Sequence, residues 1–220
     1  MKNQFKITLV ILVLAVAALA CNAVPIPGTG GPLMEDNFDG VSRNWGTGSD
    51  EKSSVEYEDG GLRFRVYAER FYLWSNPSER EYSNTHIEVT AKNNSSDANT
   101  AFGIICNQGE LDTNLYYFAI TAYGQYVIAK GVDGQDDFFL TNNNEWGDSD
   151  LITQNAASYR LGADCGNGVL TLYVDGKQID SVQDSTYSSG YVGLFAWSDK
   201  LENSADVTFD DFVITRLPSP

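Results

Sequence analysis

One segment, 159–197, constrains the fold of this chain most, because apolar and polar residues alternate along much of it. Asn167-Gly168 and Asp175-Gly176 interrupt the alternation, and both dipeptides suit the type I′ turn, which needs a positive φ at both central positions. Alternation on either side of such turns is typical of an antiparallel meander with one buried face. The predicted core-facing residues, with one change of phase among them, are Leu161, Ala163, Cys165, Val169, Leu172, Val174, Ile179 and Val182.

The rest of the chain also has the pattern of β-structure. Segment 62–66 alternates strictly between apolar residues and arginine. In 205–217 the alternation changes phase at Asp210-Asp211, which predicts a β-bulge. No segment has a convincing helical pattern, and about a dozen short strands predict an all-β sandwich of two antiparallel sheets.

The first 20 residues are typical of a signal peptide. Lys2 and Lys6 precede an apolar stretch, 7–18, that is too short to span a bilayer comfortably. The end of this stretch, Ala18-Leu19-Ala20-Cys21, fits two alternatives: cleavage for ordinary secretion, or a bacterial lipobox in which the cysteine is acylated. Residue Ala18 departs from the leucine that is usual three positions before that cysteine.

The cysteine count favours the lipoprotein. The chain has three cysteines, and an odd number in an exported protein needs an explanation. Pairing of Cys106 with Cys165 leaves Cys21 for lipid, and we expect that disulfide to join neighbouring strands. Residues 21–33 are then a flexible Pro/Gly-rich tether, and residues 34–217 the folded domain. Anchorage at the cell surface is thus expected, with free secretion as the alternative.

The strong acidity of the chain excludes one class of partner. The formal net charge is −16, and such a surface repels phosphate backbones, so we expect no nucleic-acid binding.

Several motifs resemble the concanavalin A-like lectin/glucanase superfamily, in particular the laminin-G-like and 3-keto-disaccharide-hydrolase-like domains of bacterial lipoproteins. They are an opening DNF, GIIC, LYYFAITAYGQY, YRLGADCGNGVLTLYVDGK, GYVGLFAW and FDDFVI. The resemblance covers about residues 35–217 and implies a jelly roll with one convex and one concave sheet. In many members the concave face and its rim bind sugar, although one fold hosts many functions.

No catalytic residue can be assigned from this resemblance. Glycanases of the superfamily carry a Glu-x-Asp-x-Glu strand, whose period of two places its carboxylates on one face. The nearest match, 110–114, has Asn114 in place of the third carboxylate and follows a glycine, as a loop would. The single histidine, His86, is expected on the surface or an edge and offers neither a zinc site nor a catalytic triad.

Calcium is the one cofactor that the composition leaves open. The acidic loops 133–137 and 144–150 carry oxygen ligands of the kind that calcium takes. Neither has the spacing of a known calcium motif, so we expect solvated turns, no metal site and no cofactor.

Outward-facing aromatic residues predict a carbohydrate site. Phe195 and Trp197 take the phase opposite to the core-facing residues of 191–197, and Tyr117 and Arg160 point outward on strands expected in the same sheet. Aromatic faces and planar charged groups suit the C–H faces and hydroxyl edges of sugars. Alternatively, these aromatics pack under long loops. The predicted carbohydrate-binding residues are Trp197, Phe195, Tyr117, Arg160, Asp164, Trp74 and Trp146.

Together these features predict a cell-surface lipoprotein whose β-sandwich binds a glycan or cell-wall polysaccharide without cleaving it. The membrane contact would be the N-terminal lipid alone. The alternatives are a glycoside-acting hydrolase with an unrecognised site, and a structural or protein-interaction module of the envelope.

Overall fold

The computed structural model describes residues 31–40, 45–77, 80–110, 113–201 and 204–218. The predicted signal peptide, residues 21–30 of the predicted tether with Cys21, and residues 111–112 of the glycanase-like segment lie outside these ranges. Residues from Pro32 onward form one compact unit. Within the described ranges there is no helix, so no part of them could cross a membrane as one.

All regular structure in the described ranges consists of β-strands. The strands are β1 (Met34–Asp36), β2 (Gly48–Ser49), β3 (Ser53–Glu58), β4 (Gly61–Val66), β5 (Tyr72–Ser75), β6 (Thr85–Asn93), β7 (Ala101–Gln108), β8 (Leu115–Thr121), β9 (Gln125–Gly131), β10 (Phe138–Phe139), β11 (Gly147–Asp148), β12 (Tyr159–Gly166), β13 (Val169–Val174), β14 (Lys177–Gln183), β15 (Tyr191–Trp197) and β16 (Ala205–Arg216).

These strands form two antiparallel sheets. Sheet A has nine strands in the order β14-β13-β12-β6-β16-β4-β3-β2, with β1 beside β16. Sheet B has seven strands in the order β10-β9-β8-β7-β15-β5, with β11 beside β9. The predicted all-β sandwich is therefore confirmed.

The core lies between the sheets and follows the alternation in the sequence. Leu62, Phe64 and Val66 of β4 are fully buried, as predicted. In β13, however, Leu170 is 1% exposed and Val169 is only partly buried, so the predicted inward position of Val169 is wrong. The change of register falls in the β13–β14 pairing instead, where the partner of Leu172 is Asp180 and that of Tyr173 is Gln178.

The turns that organise the meander have the predicted geometry. The φ angles are 54° and 72° at Asn167 and Gly168, and 50° and 73° at Asp175 and Gly176. A type I′ turn requires these positive values, and Asn, Asp and Gly adopt them at low cost. The predicted bulge in β16 is also present, because the register with β6 shifts between Asp210 and Val213.

A disulfide joins Cys106 of β7 to Cys165 of β12, and both residues are fully buried. The predicted pairing is confirmed, but the prediction that it joins neighbouring strands is wrong. Strand β7 belongs to sheet B and β12 to sheet A. Both cysteines point into the core from opposite sides, so the disulfide ties the two sheets together across it.

Candidate functional site

The outer face of sheet B carries a second apolar cluster, separate from the core between the sheets. Its most buried members come from β7, β8, β9 and β15 and point away from the core, because they alternate with core residues along each strand. Partly buried aromatic rings pack against them. The cluster comprises Ala101, Ile105, Leu115, Ala119, Val127, Ala129 and Phe195, with Tyr72, Tyr117, Phe139, Trp146 and Trp197 packed on it.

This cluster borders a groove of about 680 Å³, within the size range of small-molecule sites. Small residues line it, among them Ala101 of β7 and Ala119 of β8. In the strand register, Gly103 of β7 lies between Phe195 of β15 and Ala119 of β8. A Cβ atom at Gly103 would lie 1.7 Å from the carbonyl oxygen of Phe118, so this position accepts only glycine. The small side chains leave the space that the surrounding rings enclose.

One wall of the groove is a set of rings in mutual contact. The ring centre of Phe195 lies 5.2 Å from that of Tyr72 and 5.6 Å from that of Tyr117, the latter edge-on. Tyr72 stacks on Trp74 at 5.7 Å and an interplanar angle of 27°. Such offset and edge-to-face contacts fix ring orientations before any ligand arrives.

Exposure separates the rings that a ligand could touch from those beneath them. Trp74 is 39% exposed, whereas Phe195 is 2% exposed. The predicted direction of Phe195, away from the core, is right. As a predicted carbohydrate-binding residue, however, it offers no exposed ring, because Tyr72 and Tyr117 pack against it. Phe195 is thus a support for the outer rings.

The opposite wall comes from the segment after β9. The ring of Phe139 of β10 packs edge-on against that of Trp146, with ring centres 6.1 Å apart, and both line the groove with Gly131, Val132 and residues 134–137. Trp146, one of the predicted carbohydrate-binding residues, therefore lies in the same groove as Trp74, Tyr117 and Trp197.

The polar residues that line the groove include two phenols, Tyr72 and Tyr117, and the carboxylate of Asp137. The Tyr117 hydroxyl donates a hydrogen bond of 2.9 Å to Oδ2 of Asp137. Burial, and then the negative charge of Asp137, raise the pKa of Tyr117 and also that of Tyr72. Both tyrosines therefore stay neutral at physiological pH and act as hydrogen-bonding groups.

Arg160 and Asp164 do not belong to this groove, and the prediction that they share a sheet with Tyr117 is wrong. Both lie on β12 in sheet A and point away from the core on the other side of the sandwich. The Arg160 guanidinium donates to Glu88 Oε2 at 3.1 Å and to the carbonyl oxygen of Asp211 at 2.7 Å. It is therefore already engaged in structural contacts.

Asp164 is engaged in the same way. It contacts Nδ1 of His86 at 2.6 Å and accepts a hydrogen bond of 2.8 Å from Tyr173. The Asp164 hydrogen bond raises the pKa of His86 against the opposing effect of burial, and Glu88 adds to the rise. His86 is on the outer surface as predicted, but β6 pairs with β12 and β16, so it is not at an edge.

The glycanase-like segment links β7 to β8. The side-chain oxygen of Asn114 accepts a hydrogen bond from the backbone N–H of Asp133 at 2.9 Å, so Asn114 holds a neighbouring loop. The described ranges contain no group of three or more histidine, cysteine or carboxylate side chains that could hold a metal.

Sequence reasoning missed Tyr72, Phe139 and Asp137. Tyr72 could have been found, because it lies two residues before Trp74 in a strand and so shares its face. Phe139 and Asp137 depend on how the segment after β9 folds back over sheet B, and no periodic pattern encodes that path.

Comparison with known proteins finds structural but not sequence similarity: no family model and no curated protein sequence matches the chain. The carbohydrate-binding module CBM66 of Bacillus subtilis is similar with a TM-score of 0.59 and 16% identity, over 80% of this chain and 92% of that one. A galectin-like protein of unknown function from the same species has a TM-score of 0.64 and 11% identity, over 86% and 97% of the two chains. A β-glucanase of Bacillus licheniformis has a TM-score of 0.60 and 13% identity, over 86% and 100%. With its two antiparallel sheets, the chain has the concanavalin A-like jelly-roll fold.

Proposed function

We propose that this protein is an exported lipoprotein that binds a glycan in the groove on the outer face of sheet B and does not cleave it. The observation that carries the proposal is the groove itself, which is lined by small residues and by the rings of Trp74, Tyr117, Trp146 and Trp197. A large apolar groove on the surface of a protein is a typical ligand site.

The chemistry of this groove favours a sugar over other small ligands. Sugar rings present apolar C–H faces, which stack on aromatic rings, and hydroxyl edges, which need donors and acceptors. Trp74 offers an exposed ring, while Tyr117, Asp137 and Gln135 offer polar groups along the same groove. CBM66 and the β-glucanase, whose names refer to carbohydrate, have the same fold.

Binding without hydrolysis is favoured by the placement of the carboxylates. A glycosidase needs two carboxyl groups on either side of the scissile bond, about 5–9.5 Å apart. The two carboxylates that line the groove among the described residues, Asp136 and Asp137, are consecutive on one loop. The raised pKa of Tyr117 also makes its phenol a poor nucleophile. Hydrolysis is the second candidate, because the β-glucanase shares the fold.

Glycan arrays and affinity electrophoresis test the proposal. Trp74→Ala and Trp197→Ala should each weaken binding roughly fivefold to tenfold, because one aromatic contact contributes about 1 kcal/mol. The matched control is Tyr123→Ala, which removes an exposed ring that does not line the groove. Release of reducing sugar from a bound glycan would establish the hydrolase. If the wild-type protein bound no glycan and cleaved none, the structural or protein-interaction module of the envelope would remain.

Export and anchorage belong to the same proposal. The Pro/Gly-rich stretch after Cys21 would hold the sandwich away from the membrane, so that the groove could reach an external polysaccharide.

A further inference from the structure

The hydroxyl of Tyr72 is a buried polar group without a partner in the aromatic groove. Its oxygen is inaccessible to solvent and has no hydrogen-bond partner among the residues that the structure describes. A buried hydroxyl left unpaired costs about 1–3 kcal/mol, so such a group needs an explanation. Because Tyr72 lines the groove, a ligand that displaces a neighbouring side chain slightly can reach its hydroxyl and supply the missing partner.

The charges around the groove are of one sign. Among the described lining residues there is no lysine, arginine or histidine, and the charged ones are Asp136 and Asp137. The chain as a whole has a formal net charge of −16. An anionic sugar that entered the groove would therefore lose its hydration and be repelled by the two carboxylates. No cationic side chain among these lining residues would offset either cost.

We propose that the groove selects uncharged sugar units, and that a sugar hydroxyl bridges Tyr72 and Asp137. This inference rests on the glycan-binding function proposed above and specifies the class of glycan. A hydroxyl both accepts and donates hydrogen bonds. It can accept from the Tyr72 phenol and donate to the Asp137 carboxylate, which already accepts from Tyr117.

Other ligand groups match this pair less well. A carboxylate or sulfate can accept from Tyr72 but has no proton for Asp137 and is repelled by its charge. An apolar group would leave Tyr72 unpaired. Tyr72 and Asp137 line the same groove, and the negative charge of Asp137 adds to the effect of burial in raising the pKa of Tyr72.

The test compares neutral and anionic forms of the same backbone by affinity electrophoresis. The pairs are hydroxyethylcellulose against carboxymethylcellulose, unsubstituted xylan against glucuronoxylan, and desialylated against sialylated mucin. For at least one pair, the full-length protein should bind the neutral member roughly tenfold more tightly than the anionic member. The difference should shrink in about 1 M NaCl, where the Debye length is about 3 Å.

Two conservative variants test the bridge itself. Tyr72→Phe should weaken binding of the neutral glycan roughly fivefold, while the thermal midpoint stays unchanged or rises because an unpaired buried hydroxyl has been removed. Asp137→Asn keeps an acceptor for Tyr117 and should reduce the discrimination against the anionic glycan. The matched controls are Tyr123→Phe and Asp150→Asn, on residues that do not line the groove.

The outcomes separate this inference from the function on which it rests. Binding of neutral and anionic members with equal affinity would overturn the selectivity and leave glycan binding intact. Unchanged neutral-glycan affinity in Tyr72→Phe would overturn the bridge. No binding to any of the six glycan probes, together with no binding on the glycan array, would overturn both.

Discussion

Removal of the Cys106–Cys165 disulfide, by changing both residues to alanine, should lower the free energy of unfolding by up to about 4 kcal/mol. The two cysteines are 59 residues apart in sequence. Cross-linking a loop of this length removes about 14 cal/mol/K of entropy from the unfolded chain, or about 4 kcal/mol at 25 °C. Residual structure in the unfolded chain reduces this value.

Urea unfolding measures the effect. With a slope of roughly 2 kcal/mol per molar, the midpoint of the double variant should fall by up to about 2 M. Both sulfur atoms are fully buried, so their loss also opens a small cavity. Reduced wild-type protein keeps both sulfur atoms and is the matched control: it isolates the cross-link from the packing.

The loop-entropy reasoning would fail if oxidised and reduced protein unfolded at the same urea concentration with the same slope. The disulfide would then contribute nothing beyond the packing of two small apolar side chains. A lower midpoint in the alanine variant alone would assign the loss to that packing.

Three further predictions concern other regions. The raised pKa of His86 means that its pairing with Asp164 stabilises the fold fully below about pH 6.5 and is lost as pH rises through the raised value. His86→Gln should remove that decline from the pH profile of unfolding, and an identical profile would contradict the pairing. Arg160→Ala should cost about 1–2 kcal/mol in urea unfolding but leave glycan affinity within about twofold of wild type, because its contacts lie on sheet A. Cys21→Ser should move the protein from membranes to the soluble fraction, whereas soluble wild-type protein with a free Cys21 thiol would refute lipidation.

The fold was predictable because its signals are local. A two-residue turn such as Asn167-Gly168 requires a particular backbone geometry, and two residue types adopt it readily. Alternation in 62–66 likewise places side chains on one face of a strand without reference to the rest of the chain.

The errors arise where the answer depends on topology. Alternation states whether Arg160 points inward or outward, but not which sheet contains its strand. Strand β12 pairs with β6 and β13, whereas β15, only about 30 residues later, pairs with β5 and β7 of the other sheet. The same ambiguity explains the disulfide, because inward-facing cysteines pair equally well within one sheet or between two.

Phe195 shows a second limit. A period of two gives the direction of a side chain but not its depth, and the outer face of sheet B is covered by its own rings. Tyr72 and Tyr117 bury Phe195 from outside. A sequence pattern that treats every outward residue as exposed therefore overstates the accessible surface.

The contrast between the two outer faces explains why only one of them is proposed to bind a ligand. On sheet A, Arg63 donates to Asp206 at 2.8 and 2.6 Å and to Glu58 at 2.8 Å, and Arg160 and His86 have carboxylate partners of their own. These groups satisfy one another and remain hydrated, so a ligand would have to replace existing contacts. On sheet B the face is apolar, and a groove is lined by the small residues Ala101 and Ala119. The Tyr72 phenol there has no hydrogen-bond partner among the residues that the structure describes. A sugar that stacks on its rings and pairs with that phenol removes apolar surface from water and fills an unmet hydrogen bond, and both effects favour binding.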